Sequence, residues 1–210
     1  MIVQTAGIVG AQGLMLVADP SGYVLFVIPS ILVSIAITPI LLSISPTPMF
    51  ETTKAMSLRE LMGYSPLGCV GMFLLGGVFS AQFGMSAVYG AEAGLSVGQI
   101  STFVATIFIG AMITQYPIGW LSDRMDRRAL IGITAVIGGL GAIVGIMADN
   151  DFTLILVAAF MMGGTSNPLY SLLLAHTNDF LEHEDMAAGS GGLIFINGLG
   201  AVSGPLITGY

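Results

Sequence analysis

The chain has 210 residues, 55% of them hydrophobic and only 8% charged, with a formal net charge of −7 and a mean hydropathy of +0.93. A soluble domain carries about 25% charged residues, so lipid must be the outer solvent and the chain an integral membrane protein. Five Lys and Arg cannot form a phosphate-tracking stripe, which excludes nucleic acid as a partner.

A bilayer core needs about 20 mostly apolar residues per helix. Seven runs meet or approach that length: 2–18, 23–45, 66–89, 98–120, 129–148, 152–174 and 188–208. Lipid-facing strands would be about half as long and would alternate, so the expected fold class is an all-α membrane protein, a helical bundle with seven transmembrane helices. The first run carries Gly7, Gly10, Gln12 and Gly13. It lacks the basic region that opens a cleavable leader and begins almost inside a span, which suggests a fragment of a longer protein. Asp19-Pro-Ser-Gly22 makes a tight turn into the second run.

A linker at 46–64 follows, with Pro46, Pro48, Lys54 and Arg59. Its Ser57-Leu-Arg-Glu60 forms a capping box, predicting a short amphipathic helix at the membrane surface. The third run holds the single Cys69, read as an inert buried thiol, and the polar Ser80 and Gln82. Ser96 with Gln99 caps the fourth run, which contains Thr106 and ends in Gln115-Tyr-Pro-Ile-Gly119. There Tyr116 and Trp120 suit the interfacial aromatic belt.

Gly119-Trp-Leu-Ser-Asp-Arg-Met-Asp-Arg-Arg128 holds three of the chain's five basic residues between two apolar runs, so it must lie in water. Beyond it, Asp149-Asn-Asp151 separates the fifth run from the sixth. The sixth contributes Thr165 to Asn167 and Tyr170, and the seventh contributes Asn197 and a Gly204-Pro205 kink. Between them lies an acidic loop in which His176, Asp179 and His183 would share one face if it were helical. A solvated connection outweighs a metal site there, because no fourth ligand is evident. Neither a metal nor another cofactor is expected. The chain also lacks a phosphate-cradling glycine loop, a nucleophile elbow and paired intramembrane acids, so no enzymatic activity is expected.

Lys54 and Arg59 are separated from Arg124, Arg127 and Arg128 by two spans, so all lie on one side. The positive-inside rule makes that side cytoplasmic, with the N-terminus inside. Gly119 leaves room for a neighbouring backbone at the membrane edge, and Asp123 can accept hydrogen bonds from a helix N-terminus or pair with an arginine.

The pattern at Gly119, Leu121, Ser122, Asp123, Arg124, Asp126, Arg127 and Arg128 resembles the signature cytoplasmic loop of the major facilitator superfamily. In that family it lies between the second and third helices and again between the eighth and ninth. Matching the 46–64 linker to the family's central linker makes the seven spans resemble helices five to eleven. On that register, 1–45 holds the last two helices of the N-terminal bundle and 65–210 an incomplete C-terminal bundle. The remaining helices of a full-length transporter would be partners.

The resemblance implies alternating-access transport of a small organic solute, in a bacterial inner membrane, with Gly119, Asp123, Arg124, Asp126, Arg127 and Arg128 as a gating motif. None of the spans carries an ionisable group at depth, so these helices would offer neutral contacts. Gln82, Asn167, Tyr170 and Asn197 either line a central cavity or bridge helices. Seven spans would also suit a receptor, a membrane scaffold or a truncated product without transport. A receptor in the usual orientation has its N-terminus outside, against the charge placement.

Overall fold

The computed structural model describes residues 2–17, 22–42, 56–149 and 151–208. Asp19 to Ser21, Pro46, Pro48, Lys54 and Asn150 lie outside the described residues. The described chain is helical throughout: α1 (Ile2–Val17), α2 (Val24–Leu41), α3 (Leu58–Tyr64), α4 (Pro66–Ser80), a π turn (Ala81–Met85), α5 (Ser86–Glu92), α6 (Val97–Ser122), α7 (Arg127–Met147), α8 (Phe152–Asn178) and α9 (Met186–Thr208).

Five of these are long and apolar enough to cross a membrane: Pro66–Glu92, Val97–Ser122, Arg127–Met147, Phe152–Asn178 and Met186–Ile207. The expectation of seven is met in this sense by five. α1 has 16 residues, about 24 Å of helix against a core of about 30 Å. The described apolar stretch of α2, Val24–Thr38, is also shorter than the five.

Both capping boxes form as their spacing predicts. Ser57 N–H donates to Glu60 Oε2 at 2.9 Å while Glu60 N–H donates to Ser57 Oγ, and Ser96 and Gln99 repeat the arrangement at the start of α6. Leu61 of α3 is buried against Gly192 and Leu181, which docks this short helix on the start of α9. Ser65 then caps α4, accepting from Gly68 N–H at 3.1 Å, and Thr177 Oγ1 donates to Ser65 Oγ at 3.2 Å. Thus α3, the start of α4, the end of α8 and the start of α9 share one end of the bundle.

Two helix pairs run parallel in close contact, α4 with α9 and α6 with α8, and α7 lies antiparallel along α8. Glycine makes the parallel pairs possible. A Cβ at Gly200 would collide with the carbonyl oxygen of Phe73, and one at Gly76 with that of Asn197. Gly163 and Gly110 meet Ile107 and Phe160 in the same way across α6 and α8. In a bilayer, where apolar surface alone does not drive helices together, such backbone proximity supplies the packing.

α8 contains Pro168, whose ring denies the Gly164 carbonyl its usual backbone donor. Thr114 of α6 fills that vacancy: its hydroxyl donates to Gly164 O across the interface. α1 packs against α6. Outward faces are strongly apolar, as at Ile146 and Val202, in keeping with a lipid solvent.

Candidate functional site

Midway along Pro66–Glu92 the backbone leaves α geometry. Ala81–Met85 form a π turn, and the Ser86 hydroxyl donates to the Gln82 carbonyl. Such turns are rare and gather at functional sites. This one buries Gln82 to 5% exposure against α8, where Ser166 Oγ donates to Gln82 Oε1 at 2.9 Å. Among the described residues, Gln82 Nε2 and Asn167 Nδ2 are buried without a hydrogen-bond partner.

Both side chains line a cavity of about 750 Å³ bounded by α1, the π turn, α5, α6 and α8. Gln12, Ser86, Ser101 and Tyr170 are its other polar members. One wall is aromatic. Phe79 and Phe83 stack with centroids 5.3 Å apart, Phe83 and Phe108 stack at 5.3 Å, and Tyr170 lies 6.1 Å from Phe79. None of the described lining residues is an Asp, Glu, Lys, Arg or His. A second, nearly apolar cavity of about 410 Å³ also touches Gln82 and Ser86 and extends toward Tyr89, Phe103 and Ile146.

Asn197 is placed elsewhere. Its Nδ2 donates to Met72 O at 2.9 Å, joining α9 to α4 beside Gly76. The structure therefore brings Gln82, Asn167 and Tyr170 to one cavity and sets Asn197 in a helix–helix contact. Thr106 and Thr165 turn their hydroxyls to carbonyls of their own helices, at 2.7 and 2.8 Å.

The motif loop closes the arginine-bearing end. Asp126 caps α7, accepting from Arg128 N–H at 2.6 Å and from Ala129 N–H at 3.4 Å. Arg127 pairs with the Asp179 carboxylate and donates to Ser122 Oγ at 3.2 Å and Ala175 O at 3.4 Å. Arg124 donates to Trp120 O at 3.1 Å and lies 3.9 Å from the indole centroid, while Arg128 lies 5.5 Å over Phe180. His176 is buried, edge-on to Phe180 with centroids 5.0 Å apart. Among the described residues no three His, Cys, Asp or Glu side chains come together to hold a metal ion.

The loop thus has two parts. Asp126 and Arg127 are engaged within the bundle. The Asp123 carboxylate is exposed and has no hydrogen-bond or ion-pair partner among the described residues, its backbone N–H alone being engaged, with Leu121 O. No described atom beyond its own helical turn lies within 4 Å of where a Cβ at Gly119 would sit.

A family profile described as the Major Facilitator Superfamily matches residues 67–210 of the chain. The chain belongs to the major facilitator superfamily. Curated relatives include a protein of Escherichia coli O9:H4 (strain HS) named as an uncharacterized MFS-type transporter, YcaD. It is 25% identical over 156 residues, covering 74% of this chain and 39% of that protein. The protein of the same name in Escherichia fergusonii is 25% identical over 158 residues, covering 75% and 40%. The chain therefore spans about two-fifths of the length of the major facilitator relatives it matches. No solved structure matches it.

Neither the π turn nor the aromatic wall is announced by the apolar pattern of this major facilitator chain. Phe79, Phe83 and Phe108 read as ordinary apolar residues of a span, and the π turn contains no proline to announce a break. The available signal was polarity: Gln82 and Ser86 sit one helical turn apart in an otherwise apolar stretch.

Proposed function

We propose that this chain is the C-terminal portion of a transporter that moves a small organic solute across a membrane by alternating access. Its helices correspond on this reading to helices five to eleven, with 1–45 belonging to the N-terminal bundle and 46–64 to the central linker. The observation that carries the reading is the cavity at the π turn. It is of the volume that suits a small organic ligand, about 300–1,000 Å³. It combines apolar walls with a few unpaired polar groups, and it lies where a long helix departs from regular geometry.

The motif loop supplies the gate. Arg127 and Asp126 hold the loop rigidly to α7 and α8, so that Gly119 and Asp123 are presented outward. The partner they await is the N-terminal bundle of the transporter, which docks while the cytoplasmic side is closed and parts when it opens. Among the described residues Arg59, Arg124, Arg127 and Arg128 share one end, and Glu92, Asp149 and Asp151 occupy the connections at the other. This supports a cytoplasmic N-terminus in a bacterial inner membrane. A seven-helix receptor has no support once the superfamily is shown.

Solute uptake into vesicles carrying the full-length protein tests the gate. Asp123→Asn should slow uptake about fivefold or more, the lower range of coupling between sites, while leaving thermal stability unchanged. Uptake equal to wild type would sink the gating role. Orientation is tested with Glu184→Cys in the full-length protein: a membrane-impermeant maleimide should leave it unlabelled on intact cells and label it after lysis. Labelling of intact cells would reverse the assignment.

A further inference from the structure

We infer that the group recognised by the larger cavity is an uncharged aromatic ring carrying a carbonyl acceptor, as in an aryl carboxamide, aryl ketone or lactam. The inference rests on the reading of that cavity as a solute site, and it names what this half of the site selects.

Three independent observations meet there. First, Gln82 is buried to 5% exposure, yet its amide Nε2 has no partner among the described residues, and neither has Asn167 Nδ2. An orphaned buried donor is costly to keep unless something accepts from it, so the missing partner is an acceptor. Second, Tyr170, Phe79, Phe83 and Phe108 form a continuous row of rings with centroids 5.3–6.1 Å apart. This is the spacing at which offset-stacked and tilted aromatic pairs gain beyond simple area burial, and a fifth ring extends the row. Third, none of the described residues lining the cavity bears a charge. A carboxylate or ammonium on the ligand would be desolvated there without a counter-ion. A polyol fares no better, because its hydroxyls would face the phenyl wall with few partners.

The geometry also explains why the donors are kept. Ser166 holds the Gln82 carbonyl oxygen, which fixes the amide plane and leaves the N–H₂ end to the ligand. The π turn places that amide one turn from Ser86, and α8 brings Asn167 to the same cavity.

Thermal unfolding of the purified full-length protein in detergent distinguishes the ligand classes, using benzamide, benzoate, benzylamine and cyclohexanecarboxamide as probes. Benzamide should raise the midpoint by about 2 °C at ten times its Kd and bind at least about tenfold more tightly than the other three. Gln82→Met keeps the side-chain length and removes the amide, and should weaken benzamide about tenfold. Should that variant fail to fold, Asn167→Leu carries the same expectation. Equal or tighter binding of benzoate, benzylamine or cyclohexanecarboxamide would overturn the inference. So would the absence of a benzamide shift, or unchanged affinity in a folded variant. Vesicle uptake separates this from the transport reading. Benzamide binding without uptake of any solute would sink transport and leave the selectivity standing. Uptake confined to charged or non-aromatic solutes would do the reverse.

Discussion

Two glycines of this chain look alike in sequence and differ in what surrounds them. Gly200 faces the Phe73 carbonyl so closely that any Cβ collides with backbone, whereas a Cβ at Gly119 meets no described atom within 4 Å. Gly200→Val should therefore force α4 and α9 apart, at a cost of about 1–3 kcal/mol for an overpacked contact. The yield of monodisperse full-length protein should fall. Gly119→Val should leave that yield intact and reduce vesicle uptake, because the space it fills belongs on our proposal to the opposing bundle. Loss of folded protein from both variants, or from neither, would contradict the distinction. Sequence shows the small residues but not which of them are crowded, since crowding depends on which helices become neighbours. The polar residues followed a similar rule. Gln82 and Asn197 are equivalent as amides within apolar runs, and only the fold sends one to a cavity and the other to the Met72 carbonyl.

Helices behave as units here because each backbone irregularity in one is compensated by another. Pro168 leaves the Gly164 carbonyl without its own N–H donor, and the Thr114 hydroxyl of α6 donates to it. Thr114→Val removes the donor at constant shape and should cost about 0.5–1.5 kcal/mol, the usual net value of one hydrogen bond. In a Pro168→Ala background the residue-168 N–H can return to Gly164 O, and the same Thr114→Val change should then cost much less. A double-mutant cycle on thermal unfolding measures the difference, and additive effects would refute the coupling. This level was partly legible from sequence. Run length located five of the seven expected spans, and Ser57 with Glu60 and Ser96 with Gln99 opened α3 and α6 where their spacing placed them. The π turn at Ala81–Met85 was hidden, because the hydrophobicity of a span has no period that a single extra residue disturbs visibly. The partner of Pro168 was hidden for another reason: a proline names the carbonyl it orphans but not the hydroxyl that answers it.

At the scale of the whole molecule, the proposed alternating access turns on the contact between α1 and α6. α1 and the bundle of α4 to α9 jointly bound the larger cavity, with Ile8 and Gln12 on one side and Ile100, Ser101 and Val104 on the other. If residues 1–45 belong to the opposite half of the transporter, this interface must open and close as the halves rock, while the glycine-packed pairs α4–α9 and α6–α8 stay closed. A covalent bridge across it should then arrest transport. With Cys69→Ala removing the native thiol, Gln12→Cys and Ser101→Cys can be joined by a short bifunctional methanethiosulfonate in the full-length protein. Uptake into vesicles should fall to background and return on reduction with dithiothreitol, while either single cysteine treated alike should keep its uptake. A direct disulfide between Gly145→Cys and Ala158→Cys, where a Cβ at Gly145 would lie 3.4 Å from that of Ala158 across the packed pair α7–α8, should leave uptake unaltered. Full uptake through the bridged α1–α6 pair would mean that the two segments move as one body, and 1–45 would have to be assigned to the same half as the rest of the chain.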